Sequence, residues 1–364
     1  VYRTEDFELW NVGPGVEAET GPQNRYNIVG RLFSTGEVSR FTYELNGIPE
    51  RPIFFNATKR RVGRLDRNGD FNIDTIGTEE LLAENSIVFR VYRNGSGVTE
   101  HTVRFPARSR ASTEPRFRLD LSGVEHPQNV GQVIDGRWVV SRDELGRKCL
   151  EIRKEDSGLD RIILFGRAEW STGYEISMKF MVTAWMNPVH NFGAVFKWNP
   201  HLGGDGSQLP TQWSTGLAYY YSGSPGLRLR FGVDVYVDDD GVKHGDFVLS
   251  ERPYSVFRYL LMNLNQAVRL TRRPLSQLVP GVMYLLRVRI HTERYTLTLW
   301  KDGRREPRPR LEVPHPPEPL PSGSVGVIAF NCAARVYEYE VTPLQVQAGR
   351  SAIHSGAVRS EDSK

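Results

Sequence analysis

The feature that most narrows the fold is a strict two-residue alternation that recurs in short runs along the chain. In "LRLRFGVDVYV", Leu229, Phe231, Val233, Val235 and Val237 fall on one side. Arg228, Arg230, Asp234 and Tyr236 fall on the other. In "YEISMKFMV", Tyr174, Ile176, Met178, Phe180 and Val182 oppose Glu175, Ser177, Lys179 and Met181. In "YLLRVRIH", Tyr284, Leu286, Val288 and Ile290 oppose Leu285, Arg287, Arg289 and His291. A period of two is the signature of a strand with one buried face. Long alanine- and leucine-rich helical runs are nearly absent, while runs of Val, Phe, Tyr and Arg recur between turn residues. The chain therefore reads as all-β.

At 364 residues the chain is long enough for two domains. Residues 1–108 read as an immunoglobulin-like β-sandwich, built from "YNIVGRL", an Asn46-Gly47 hairpin and "NSIVFRVYRNGSGVTEHTVRF". "IGTEELLAEN" reads as one helical turn or a short crossover before the last hairpin. "LDRNGDFNID" spaces Asp66, Asn68, Asp70, Asn72 and Asp74 by two, but fails as an EF-hand loop. Counted from Asp66, Phe71 and Gly77 stand where Gly and Glu are required. It reads as a solvated turn. Residues 109–116 read as a linker, residues 117–344 as a larger domain of two sheets with five or six strands each, and residues 345–364 as a disordered tail.

The 47 basic residues face 43 acidic ones, a net charge of +4. That balance gives no nucleic-acid partner. No run approaches the roughly 20 apolar residues of a membrane helix, so no membrane insertion is expected. The chain begins at Val1 rather than Met, from which a removed leader and a secreted or extracellular location are expected. The sequons at Asn56 and Asn94 are too common to carry weight. Cys149 and Cys332 are either one bridge or two buried thiols, and an extracellular setting favours the bridge. Oligomeric state is left open.

The last third of the chain carries a resemblance. "MYLLRVRIHTERYTLTLWKDGRREP" followed by "SGSVGVIAFNCAARVYEYEV" resembles the closing strands of concanavalin A-like jelly rolls, the laminin-G-like and glucanase-like superfamily. It covers Gly136 to Leu344. The resemblance implies an all-β chain in which the immunoglobulin-like sandwich is followed by a two-sheet concanavalin A-like jelly roll. That fold hosts lectins, hydrolases and lyases, so it does not choose an activity. The Glu-x-Asp-x-x-Glu strand of the laminarinase-like hydrolases is absent. The strands of the alginate-lyase-like families are only loosely echoed in "LEIRK", "VFKW" and "LRLR". Domains of the superfamily often hold a structural calcium. Asp238, Asp240 and Asp246 would supply its oxygen ligands here, and the same acidic turn also reads as a solvated loop. No other cofactor is required.

Several strands of the larger domain present a second face of Lys, Arg, Tyr, Trp, Asn or Asp. Aromatic rings stack on sugar C–H faces, and Arg pairs bidentately with carboxylate or sulfate. Lys179, Lys197, Trp198, Tyr221, Arg228, Tyr236 and Arg287 are the candidate substrate contacts. Asp234, Tyr219, Arg230 and His190 are the candidate catalytic groups. Beside Arg230, Asp234 suits a base or nucleophile better than an acid. Elimination from a uronate would instead use Arg to neutralise the carboxylate and Tyr or His to remove the proton. The same residues are also ordinary on a wet sheet face. The expected function is a secreted protein that binds and cleaves an oligo- or polysaccharide, by hydrolysis or by elimination. A non-catalytic carbohydrate-binding or adhesion protein is the alternative class, and a structural protein of a phage or surface layer is a third.

Overall fold

The computed structural model describes residues 1–58, 65–95, 97–108, 116–158, 161–170, 172–186, 190–202, 212–223, 226–236, 245–248, 278–309, 311–314 and 322–344. Among them the regular structure is strand, apart from four single-turn 3-10 helices. No described helix is long and apolar enough to cross a membrane.

The first sandwich uses β1 (Tyr2–Arg3), β2 (Phe7–Leu9), β3 (Ala18–Glu19), β4 (Arg25–Leu32), β5 (Val38–Leu45), β6 (Arg51–Pro52), β7 (Asp70–Gly77), β8 (Glu84–Arg93) and β9 (Gly97–Arg108). One sheet runs β1-β2-β4-β7 and the other β3-β9-β8-β5-β6. The hairpins are where the turn chemistry puts them. Asn46 and Gly47 close the turn after β5 with φ of 50° and 77°, the left-handed pair that a tight hairpin turn requires. Thr78–Glu80 forms the expected single turn before β8. The inner faces meet around Phe7, Phe41 and Phe89, with ring centroids 4.9 to 5.9 Å apart. Such aromatic pairs add about 0.5–1.5 kcal/mol each beyond the area they bury.

"LDRNGDFNID" departs from the solvated turn expected of it. Asp70–Gly77 is a strand, and Asp70, Asn72 and Asp74 are all buried. Polar residues tolerate burial when partners meet them, and those partners come largely from elsewhere in the chain. Arg31 Nε reaches Asp70 Oδ1 at 2.8 Å, and Asn72 Nδ2 donates to the Ile134 carbonyl at 2.9 Å.

The second sandwich is larger than five or six strands per sheet. One sheet is eight-stranded, ordered β12 (Trp138–Arg142), β13 (Lys148–Ile152), β24 (Cys332–Pro343), β15 (Tyr174–Trp185), β20 (Met283–Ile290), β21 (Arg294–Lys301) and β22 (Leu311–Pro314), with β10 (Phe117–Arg118) also pairing β24. The other is seven-stranded, ordered β11 (Gln132–Val133), β14 (Arg161–Trp170), β23 (Gly323–Phe330), β16 (His190–Leu202), β17 (Gln212–Gly223), β18 (Gly226–Tyr236) and β19 (Gly245–Val248). For convenience these are the E sheet and the F sheet. The alternation in β15 and β20 is borne out, because Tyr174, Ile176, Met178, Phe180, Tyr284, Leu286, Val288 and Ile290 are all buried. They pack against Phe192, Ala194, Phe196, Val327 and Ala329 of the F sheet in one core. The strand candidate "FRYLLMN" lies outside the described residues.

The two sandwiches share an interior. Trp10 and Val29 of the first belong to the core of the second. Arg161, 5% exposed, forms ion pairs with Asp66 of the first sandwich and with Asp135 of the second, the latter at 3.1 Å. Gln132 Nε2 donates to the Arg25 carbonyl at 2.6 Å, and Asn11 Nδ2 to the Val133 carbonyl at 3.5 Å. A second apolar cluster, Ile134, Ile162, Leu164, Val195, Trp198 and Ile328, is buried on the F sheet's other face. The outer face of β11, β14, β23 and the start of β16 is thus closed over.

The two cysteines are separate. Both thiols are free and buried. The register pairs Leu150 with Val336 and Trp185 with Cys332. Cys149 and Cys332 therefore lie about five residues apart along β24, roughly 16 Å at the strand rise, far beyond the span of a disulfide. The bridge expected for an extracellular chain is not formed.

Candidate functional site

The candidate residues divide between the two sheets, and the reason is strand parity. On β17 and β18 the register places Tyr219 opposite Arg230, Tyr221 opposite Arg228, and Trp213 opposite Tyr236. Gly193 of β16 lies opposite Tyr219, and Ile328 of β23 opposite Gly193. Ile328 belongs to the apolar cluster on the side of the F sheet away from the main core. Asp234 is the register partner of Asp246 of β19. Positions directly opposite on antiparallel strands place their Cβ atoms about 4.5–5.5 Å apart. The register of β17, β18 and β19 thus aligns Tyr219 with Arg230, Tyr221 with Arg228 and Asp234 with Asp246. Asp238 and Asp240, the other proposed calcium ligands, lie outside the described residues.

His190 does not join them. It shares parity with Phe192 and Ala194, on the core side of β16, and its register partner is Ser222, not Tyr219. Its ring is buried and stacked on Trp185, centroids 3.9 Å apart and 18° from parallel. It packs the edge of the core and cannot share a face with the catalytic group proposed for it.

Lys197 and Trp198 are also taken out of an open groove. A register irregularity between Val195 and Trp198 gives Lys197 a φ of 51° and turns both residues inward. Lys197 is 2% exposed and Trp198 1%. Burial pushes the Lys197 ammonium below its ordinary range. Trp198 Nε1 donates to Gln23 Oε1 of the first sandwich at 2.9 Å. Trp198 is an interface residue rather than a sugar platform.

Lys179 and Arg287 lie on the outer face of the other sheet, the E sheet, and both are engaged. Lys179 Nζ is 2.9 Å from Asp302 and 3.8 Å from Glu338. Arg287 and Arg289 alternate with two glutamates in a closed ring. Glu175 takes Arg287 Nε at 2.9 Å and Arg289 Nε at 2.6 Å, and Glu306 takes both guanidiniums from the other side. The Arg287 guanidinium also lies 5.5 Å from the Trp300 ring centroid. Two cations and two carboxylates sum to zero, so this lattice offers no excess charge to an acidic sugar. Sequence reasoning had no signal for Glu306, which lies beyond the strands in the turn region after Trp300.

Elsewhere, Glu5, Asp6 and His101 form the group of potential metal ligands found among the described residues. Asp6 there is already paired with Arg93 and bonded to His101 Nε2 at 2.7 Å. The sequon at Asn56 is closed to a glycan in the folded chain, since Asn56 is 0% exposed and donates to the Leu65 carbonyl.

No family model and no curated protein matches the chain. Among solved structures it is similar to the xylan beta-1,4-xylosidase of Bacillus halodurans C-125, with 9% identity over 92% of this chain and 64% of that one, at a TM-score of 0.35. It is similar to the GH43 BlXynB protein of Bacillus licheniformis, with 11% identity over 94% of this chain and 66% of that one, at 0.30. A third is the immunostimulatory antigen and pseudo beta-1,3-glucanase of Mycobacterium tuberculosis, with 12% identity over 59% of this chain and 79% of that one, at 0.27. The chain spans less than two thirds of the length of the two Bacillus proteins.

Proposed function

We propose that the chain is an extracellular carbohydrate-active protein that takes a polysaccharide on the outer face of β17, β18 and β19. The observation that carries this reading is the register of Tyr219 with Arg230, Tyr221 with Arg228 and Asp234 with Asp246. Tyrosines offer flat apolar surface to sugar rings, and the arginines favour an acidic chain. The first sandwich meets that sheet through Trp198 and Ile134. Its own sheet order supports an immunoglobulin-like module that braces the larger one.

In this reading the enzyme is a glycoside hydrolase. Hydrolysis with retention uses two carboxyl groups about 5–5.5 Å apart, one protonated and one not. Asp234 of β18 is the proposed carboxylate. Asp246, its register partner on β19, is the proposed acid.

The test is incubation with a panel of neutral and acidic polysaccharides, read by reducing-end release and by absorbance at 235 nm. Reducing ends alone, lost in both Asp234→Asn and Asp246→Asn, support the hydrolase. A rise at 235 nm assigns elimination instead. Affinity without either signal assigns a non-catalytic binding protein, and no affinity for any member of the panel refutes the carbohydrate reading.

A further inference from the structure

The chain holds three Asn-Gly pairs, Asn46-Gly47, Asn68-Gly69 and Asn94-Gly95. Such a pair carries a latent reaction. The backbone nitrogen of the glycine attacks the Asn Cγ and closes a succinimide ring. The Cγ–Nδ2 bond breaks, and the side-chain nitrogen leaves as ammonia with the proton of the attacking N–H. Water then opens the ring at one of its two carbonyls, giving aspartate or isoaspartate. The sum is one water consumed and one ammonia released, with no oxidant or reductant. Glycine allows the approach best because it has no Cβ to obstruct it. The reaction needs a carboxamide free to swing over the next backbone nitrogen, and a nitrogen free to attack. The fold therefore selects among the three pairs.

Asn46 is held at both ends of its carboxamide. Its Oδ1 accepts from the Ser86 N–H at 2.9 Å, and its Nδ2 donates to the Glu80 carbonyl at 3.1 Å and to Asn85 Oδ1 at 2.9 Å. Swinging it onto the Gly47 nitrogen gives up all of these, at about 0.5–1.5 kcal/mol each. Asn68 is exposed, but the nitrogen that would attack it is not free. The Gly69 N–H is buried and donates to the Asn56 carbonyl at 2.7 Å. Asn68 Oδ1 also accepts from Thr35 Oγ1 at 2.6 Å.

Asn94 and Gly95 differ in both respects. They stand at the tip of the β8–β9 hairpin, beyond the register pair Arg93 and Gly97, and both are exposed. The Asn94 N–H donates to the Glu37 carbonyl at 2.9 Å, which anchors the main chain and leaves the side chain outside. Among the described residues, neither the Asn94 carboxamide nor the Gly95 N–H has a hydrogen-bond partner. Exposed hairpin tips are also where a backbone change is best tolerated.

We propose that Asn94 is a modification site, converting without an enzyme to aspartate and isoaspartate, while the fold protects Asn46 and Asn68. The product places one negative charge on the hairpin tip. The additional backbone carbon of isoaspartate falls beyond the last paired residues, so the strands stay in register. None of this depends on the glycan face.

The test is incubation of the intact chain at pH 8 and 37 °C, followed by peptide mapping by mass. The peptide carrying Asn94 is expected to gain about 1 Da at least tenfold faster than those carrying Asn46 and Asn68. In urea the bonds that hold the other two are gone, and the three rates are expected to converge to within a few-fold. Asn94→Gln is expected to abolish the fast conversion and leave the other two rates unchanged. Conversion of Asn94 in the folded chain no faster than that of Asn46 or Asn68 overturns the proposal. So does a tenfold gap that persists in urea, because the difference then lies in the neighbouring sequence and not in the fold.

Discussion

Trp198 Nε1 donates to Gln23 Oε1 across 2.9 Å, joining residues 175 positions apart in the chain. The bond crosses from one sandwich to the other, and Trp198 is 1% exposed where it does so. The same junction holds Arg161 between Asp66 and Asp135. Together with Trp10 and Val29, which enter the larger core, these contacts make the pair of sandwiches one body.

One cooperative unfolding transition is therefore expected, seen at the same midpoint by tryptophan fluorescence and by circular dichroism. Arg161→Met leaves Asp66 and Asp135 facing each other without their cation, and is expected to destabilise by about 3–5 kcal/mol. Gln23→Ala removes the bond from Trp198 Nε1 and the one Gln23 donates to Asn27 Oδ1, and is expected to cost about 1–3 kcal/mol. Two well-separated transitions in the unsubstituted protein would contradict the shared interior.

Acidification should loosen the same junction through His126. Its Nε2 is 3.0 Å from the Trp10 carbonyl and its Nδ1 accepts from the Gln128 N–H at 3.2 Å, an arrangement that needs the neutral ring. Burial lowers its pKa to about 4, while in the unfolded chain it titrates near about 6.5. The unfolded state thus binds the proton first. This contribution to stability is whole above about pH 6.5 and falls as the pH drops towards 4, by at most about 3 kcal/mol. Urea unfolding at pH 7.5 and 4.5 measures it. Subtracting the same difference in His126→Gln isolates the residue from Asp70 and Asp156, whose carboxyls burial pushes up and which shift stability the opposite way.

Much of this body is legible in the chain itself. The alternation in β15 and β20 marks their buried residues because each strand has one face on the core, and the Asn46-Gly47 turn marks its hairpin because few other residues accept φ above zero twice running. What alternation does not reveal is the fate of the second face. Lys197 and Trp198 have the same composition whether water or another module covers them, and the cover comes from Gln23, far away in sequence. "LDRNGDFNID" misleads for the same reason. Asn72 is polar and buried because Ile134 of the other sandwich supplies its acceptor. Arg287 reads as a free cation until Glu306, in an irregular segment without periodicity, is brought beside it.

The thiols give a direct check on the spacing along β24. Ellman titration in denaturant without reductant is expected to count two thiols per chain. In the native protein both should react slowly, since both are buried and burial lifts the Cys332 thiol to about 12 and raises that of Cys149. A count of zero in denaturant would mean a bridge and would overturn the register that separates them.

The last prediction separates the two polar faces of the larger sandwich. Arg287 on the E sheet and Arg230 on the F sheet look alike in sequence, each alternating with apolar neighbours on its strand. Arg287 is held by Glu175 and Glu306 and lies beside Trp300. Replacing it by Ala breaks a partly exposed lattice, so the expected cost is about 1 kcal/mol of stability with glycan affinity unchanged. Arg230 lies opposite Tyr219 on the face proposed for the glycan. Arg230→Ala and Tyr219→Ala are expected to lower glycan affinity or turnover more than tenfold, with the melting temperature nearly constant. Affinity electrophoresis of the three variants, paired with thermal melts, reads both quantities. Loss of glycan affinity in Arg287→Ala alone would move the site to the opposite sheet, where Lys179 and Trp300 would be its next residues to test.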